Sequence, residues 1–157
     1  MIVRRITIVV KKRHSRKWIL ISDVYKNILF VGEIHLGKVH DFTIFIQELA
    51  SYDFLKINVW LDLGFIGINK HILAKQMIIP IKGTKNKPLT QEQKDINKHI
   101  SSKRVKIENA ISGIKRYFIL VHRSRMKIQA KLDEAMNICS NLWNLLIKFR
   151  KLLAINQ

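Results

Sequence analysis

Two β-branched apolar runs, Lys17–Ser22 (KWILIS) and Ile28–Ile34 (ILFVGEI), are separated only by the polar stretch Asp23–Asn27. Such runs around a polar turn predict a hairpin, which in water needs a further strand or a helix to cover its apolar face. The chain supplies both. From His40 the period changes: Phe42, Phe45, Ile46 and Leu49 fall at helical spacing. Asp41 stands at the start, where a carboxylate suits the positive end of a helix. Ile57, Val59 and Leu61 then alternate as a strand that ends at Asp62-Leu63-Gly64, with Gly64 and Gly67 marking a turn. Strand, strand, helix, strand and then helices predict an α/β layer with a mixed sheet flanked by helices. In sheets of this kind functional groups collect beyond the C-terminal ends of strands, which is where Asp62 falls.

The second half reads as a loop and helices. Pro80–Pro88 (PIKGTKNKP) holds turn formers and Lys82, Lys85 and Lys87. Thr90 with Gln93 is a capping-box pair that opens a polar helix. Ser101 or Ser102 is a candidate start for the next helix, where Ile107, Ile111, Ile114 and Phe118 form a stripe. The segment 128–153 is strongly apolar and reads as a core helix. There is no internal repeat, and 157 residues accommodate one domain.

Charge decides which partners to consider. The chain has 29 Lys+Arg against 11 Asp+Glu, a net charge of +18. A basic balance of this size points to a polyanion, most simply nucleic acid. No stretch approaches the ~18 uncharged apolar residues of a membrane span. One cysteine excludes a disulfide framework and a multi-thiolate zinc site. A soluble cytoplasmic protein, associated with the nucleoid of a bacterium, is expected. Between Asp95 and Asp133 lie ten Lys and Arg residues but a single acid, Glu108.

If Asp62 and Glu108 converge, two carboxylates in one site repel unless protonated or bridged by a cation. A divalent metal resolves that repulsion, and hard cations prefer oxygen ligands. Arg104, Glu108 and Lys115 share one helix face. That face could ligand a metal while its cations hold phosphates. It could equally be a solvated i, i+4 Arg–Glu pair worth a few tenths of a kcal/mol, and spacing alone leaves both open.

Four segments, in order, resemble the DDE transposases of bacterial insertion sequences and their Harbinger-like relatives. Lys11-Lys12-Arg13-His14-Ser15 resembles the family's basic step into its second strand. Gly37-Lys38-Val39-His40-Asp41 resembles its Gly-Ser-x-x-His-Asp step into a helix. Asp62-Leu63-Gly64-Phe65-Ile66-Gly67 resembles its Asp-x-Gly-Tyr-x-Gly motif, which carries the second catalytic acid. Arg104, Glu108 and Lys115 resemble its Arg-Glu-Lys signature, which carries the third. The resemblance spans Lys11 to Arg150. It implies an RNase H-like fold that binds Mg²⁺ or Mn²⁺ on carboxylates and cuts and rejoins DNA. By position, Asp62 and Glu108 would be catalytic metal ligands and Asp41 a further ligand. Arg104 and Lys115, with Lys82, Lys85 and Lys87, would contact DNA at transposon ends and target.

The chain departs from the family pattern in one respect. The first catalytic Asp belongs on a strand upstream of the Lys-Lys-Arg-His segment, and no acid precedes Asp23. The expectation is therefore the C-terminal part of a catalytic domain over 11–153, its first strand missing or replaced. Residues 1–10 would be a leader outside the family pattern, with 4–10 (RRITIVV) able to serve as a substitute strand. Such a chain would be inactive alone and would act with a complementary N-terminal fragment or as a homo-oligomer. The alternative is a non-catalytic, basic DNA-binding remnant. The six histidines show no metal-ligand spacing, and Cys139 and the three tryptophans read as packing residues.

Overall fold

The computed structural model describes residues 2–8, 16–120 and 128–155, with the side chains of 2–8 and 155 left aside. The Lys11–Ser15 motif and the cations Arg123, Arg125 and Lys127 lie outside the described residues.

The hairpin forms as its pattern requires: β2 (Arg16–Ser22) pairs antiparallel with β3 (Ile28–Val31). Asp23 fixes the turn. Its Oδ1 accepts the N–H groups of Tyr25 and Asn27 at 2.8 and 2.9 Å, and its Oδ2 accepts Asn27 Nδ2 at 2.6 Å. That side-chain bonding is why an aspartate opens the turn, and Lys26 takes the left-handed conformation there (φ 74°). The second apolar run ends at Val31 rather than Ile34, and a two-residue strand, β4 (His35–Leu36), pairs separately with β2.

A strand β1 (Ile2–Ile8) overlaps the 4–10 segment, of which residues 9 and 10 lie outside the described residues, and all seven of its residues pair antiparallel with β2. Beyond the helix α1 (Asp41–Leu49) come β5 (Phe54–Trp60) and β6 (Ala74–Ile78). The sheet order is β3-β2-β1-β5-β6, with β4 beside β2. β1 and β5 are parallel, as are β5 and β6, so β2 runs against the main strands on either side of it. The architecture is mixed α/β, as expected. β6 has no counterpart in the sequence reading. Lys75 and Gln76 are exposed, and a short, charged edge strand carries little apolar alternation to detect.

Two cores sandwich the sheet. Strand β2 alternates between them: Ile19 and Ile21 pack with Ile44, Phe45 and Leu49 of α1. Trp18 and Leu20 pack with α2 (Gln91–Ile114) and α3 (Gln129–Ile155) on the other face. The capping box at Thr90 and Gln93 is present in both directions. The expected helix start at Ser101 or Ser102 is not observed, because α2 runs unbroken through both. Ser102 Oγ donates to the His99 carbonyl at 2.7 Å, bonding back along the helix instead of capping a new one. The apolar segment 128–153 is helical as expected. Asn144 clamps the start of β3, accepting Ile28 N–H at 2.7 Å and donating to its carbonyl at 2.8 Å.

Candidate functional site

Asp62 follows the C-terminal end of β5 and caps the short 3₁₀ turn Leu63–Phe65, its Oδ1 accepting Leu63 N–H at 2.7 Å. Gly67, with φ 92°, allows the chain to turn into a second 3₁₀ turn. Trp60 belongs to the α2/α3 core and Leu61 to the α1 core, so strand alternation puts Asp62 on the α2 side. There Arg104 Nη2 donates to Asp62 Oδ2 at 3.1 Å. This contact joins two sequence motifs 42 residues apart. Glu108 is half-buried one turn further along α2, about 6 Å by helix rise, beside Ile107, which is fully buried and fixes the rotation of the helix.

The cations extend from this point in both directions. Lys115 is the exposed C-cap residue of α2, where a cation complements the helix dipole. Lys82, Lys85 and Lys87 are exposed on the loop between β6 and α2. That loop is tied down: Asn97 accepts Ile81 N–H at 2.8 Å and donates to the Ile81 carbonyl at 3.0 Å. Asn97 had no role in the sequence reading. It sits seven residues before Arg104, on the same helix face, and that spacing is the signal that could have marked it. From Asn97 to Lys115 the helix spans about 27 Å, roughly eight nucleotide steps at 3.4 Å.

Asp41 is placed elsewhere. It begins α1, on the opposite sheet face from α2, and Lys17 Nζ donates to its Oδ1 at 2.9 Å. Lys17 is almost fully buried and also bonds the Val39 carbonyl. The structure thus brings Asp62 and Arg104 together, with Glu108 one turn further along α2, and puts Asp41 in a separate ion pair beneath α1. The helix is capped by His40, whose Nδ1 accepts Phe42 N–H at 3.3 Å.

A second polar cluster lies near β4. His35 Nε2 bonds Glu48 Oε1, and burial pushes the Glu48 carboxyl above its ordinary value despite the His35 bond. Gly32 makes room for that carboxylate, since a Cβ there would meet Glu48 Oε2 at 1.8 Å. Asp133 is likewise raised by burial, although it accepts Trp18 Nε1–H at 2.7 Å.

A strand-end Asp and the helical Arg that reaches it therefore link two segments of the chain, with Glu108 one turn further along the same helix. The chain belongs to the DDE superfamily endonuclease family, whose model matches residues 9–144. It is similar to the "Probable transposase for insertion sequence element IS702" of Microchaete diplosiphon, with 29% identity over 108 residues. The match covers 69% of this chain and 38% of that relative. No solved structure matches the chain. Among the described residues, no helix is long and apolar enough to cross a membrane.

Proposed function

We propose that this chain is a DNA-handling transposase domain on an RNase H-like sheet. Asp62 and Glu108 are its catalytic carboxylates, and its cation track holds the DNA backbone. The Arg104–Asp62 contact carries this reading, because it unites two family motifs within the matched segment. The sheet order β3-β2-β1-β5-β6, with β2 reversed, supports the fold assignment. In this reading 11–153 form the family part and 1–10 supply a strand from outside it.

The donor set fits Mg²⁺ or Mn²⁺ in part. Asp62 and Glu108 offer hard oxygen ligands, and Mg²⁺ commonly binds one or two carboxylates and takes the rest from water and phosphate. Among the described residues there is no cluster of three or more ligating side chains, so substrate would complete the shell. Asp41 would join only by leaving Lys17 and its own sheet face. A bound ion would stabilise charge on the phosphodiester oxygens.

The chain's own groups do the rest. Leu63 N–H and Arg104 orient the Asp62 carboxylate. Lys82, Lys85 and Lys87 hold one stretch of backbone and Lys115 another. Two carboxylates do not make a pair of ion sites, so strand cleavage by this chain alone is weak. Fuller activity would come with an N-terminal fragment or a second copy at transposon ends and target, in the bacterial cytoplasm at the nucleoid.

The test measures duplex binding by the full chain across salt concentrations. Log K should fall with log salt by about 0.9 per phosphate contact. Replacing Lys82, Lys85 and Lys87 by Ala should flatten the slope by about three contacts' worth. Salt-independent binding, or an unchanged slope in the triple variant, would overturn the interface. Robust Mg²⁺-dependent nicking by the pure chain would overturn its incompleteness.

A further inference from the structure

Asp62 already has a partner on each oxygen. Oδ1 accepts the Leu63 N–H at 2.7 Å, and Oδ2 accepts Arg104 Nη2 at 3.1 Å. The two side chains differ in exposure: Asp62 is 46% accessible, open to an incoming ligand, whereas Arg104 is 17% accessible. Arg104 Nε is buried with no hydrogen-bond partner among the described residues. The guanidinium is thus held by packing, with one donor spent on Asp62 and another unused in that set.

We propose that the resident cation of Asp62 is the Arg104 guanidinium, and that a divalent ion gains this carboxylate only by displacing it. This rests on the reading of Asp62 and Glu108 as metal ligands. Arginine stays charged at any working pH, so protonation change cannot clear the site. A divalent ion on the carboxylate that already holds the guanidinium would stand a few ångströms from a like charge, and the two repel. A DNA phosphate offers Arg104 a bidentate partner as good as a carboxylate. Substrate would then draw the guanidinium off Asp62 and free that ligand, which couples ion entry to DNA entry. Arg104 is a positioning residue in this scheme, acting through Asp62.

The test follows free Mn²⁺ by electron paramagnetic resonance as it titrates the full chain without DNA, with circular dichroism confirming each fold. Arg104→Gln should tighten Mn²⁺ binding about tenfold over wild type. Adding Asp62→Asn should abolish that gain. Arg104→Lys keeps a cation but loses the planar fork, should fall between, and serves if the Gln variant does not fold. Equal Mn²⁺ affinity in wild type and both Arg104 variants overturns the displacement. Absence of Mn²⁺ binding in every variant overturns the ligand assignment as well. The salt slope of duplex binding by the same preparations reports separately on the DNA interface, which survives either result.

Discussion

Helix α2 carries Arg104 and Glu108, and its seat against α3 depends on Gly113. In an exposed helix, Gly→Ala gains about 0.8–1.0 kcal/mol. Here a Cβ would stand 1.9 Å from Trp143 Cζ3 and 2.3 Å from Cε3 and Cη2. Reaching ordinary contact, which starts near 3.4 Å, requires the ring to retreat by about 1.5 Å. Trp143 is 4% exposed, and its Nε1 donates to the Lys26 carbonyl at 2.8 Å, so it has no free direction of retreat. Overpacking of this kind costs about 1–3 kcal/mol, and losing the indole hydrogen bond costs about 1 kcal/mol more. Set against the propensity gain, Gly113→Ala should destabilise the fold by about 2 kcal/mol. At this chain length that lowers Tm by about 4–8 °C. Denaturant and thermal melts on the two proteins measure it. Trp143→Phe should remove most of the penalty, with a coupling energy of about 0.5–3 kcal/mol in the double-mutant cycle. A Gly113→Ala protein that melts at or above wild type would refute the packing argument, since propensity alone would then have decided the sign.

Two further outcomes follow from other contacts. Burial raises the Glu48 carboxyl above 4.5, so the native state holds its proton longer than the unfolded chain and this residue's contribution to stability declines as pH rises through that window. Glu48→Gln lacks that decline, so its Tm relative to wild type should be higher at pH 8 than at pH 4; an equal difference at both pH values would reject the burial argument. Thr90→Ala removes one arm of the capping box, in which Thr90 Oγ1 accepts Gln93 N–H at 3.3 Å, and should cost about 1 kcal/mol in a chemical melt.

What the sequence made legible was local or periodic. The capping box is two residues three apart, and the hairpin is two β-branched runs around an aspartate that bonds its own turn. The β6 strand was not legible, because an exposed edge strand such as AKQMI carries no alternation of its own. The continuity of α2 was hidden by Ser101 and Ser102, whose type suits a helix start as well as a back-bonded interior position. For the site, motif order put Asp62 at a strand end and Arg104 and Glu108 on one helix face, but which of the two helix residues reaches Asp62 was not legible; it is Arg104. Asp41 carried the same kind of motif signal, yet whether α1 covers one sheet face or the other is set by its crossover path and not by any short pattern. Its partner Lys17 sits in a run that reads as apolar, and nothing local reveals that its ammonium turns toward α1.

The pairing of β1 is lopsided. All seven of its residues pair with β2, but among the described residues a single bridge, Ile2 with Trp60, joins it to β5. The sheet is in effect two plates, β1 to β4 and β5 with β6, and α2 is the splint laid across the joint. Arg104 fastens that splint to the β5 plate at Asp62. The joint between the plates, which the α1 core spans on the other face, therefore lies beside Asp62. A ligand that draws Arg104 away does more than uncover a carboxylate: it also removes one of the contacts by which the splint holds the second plate.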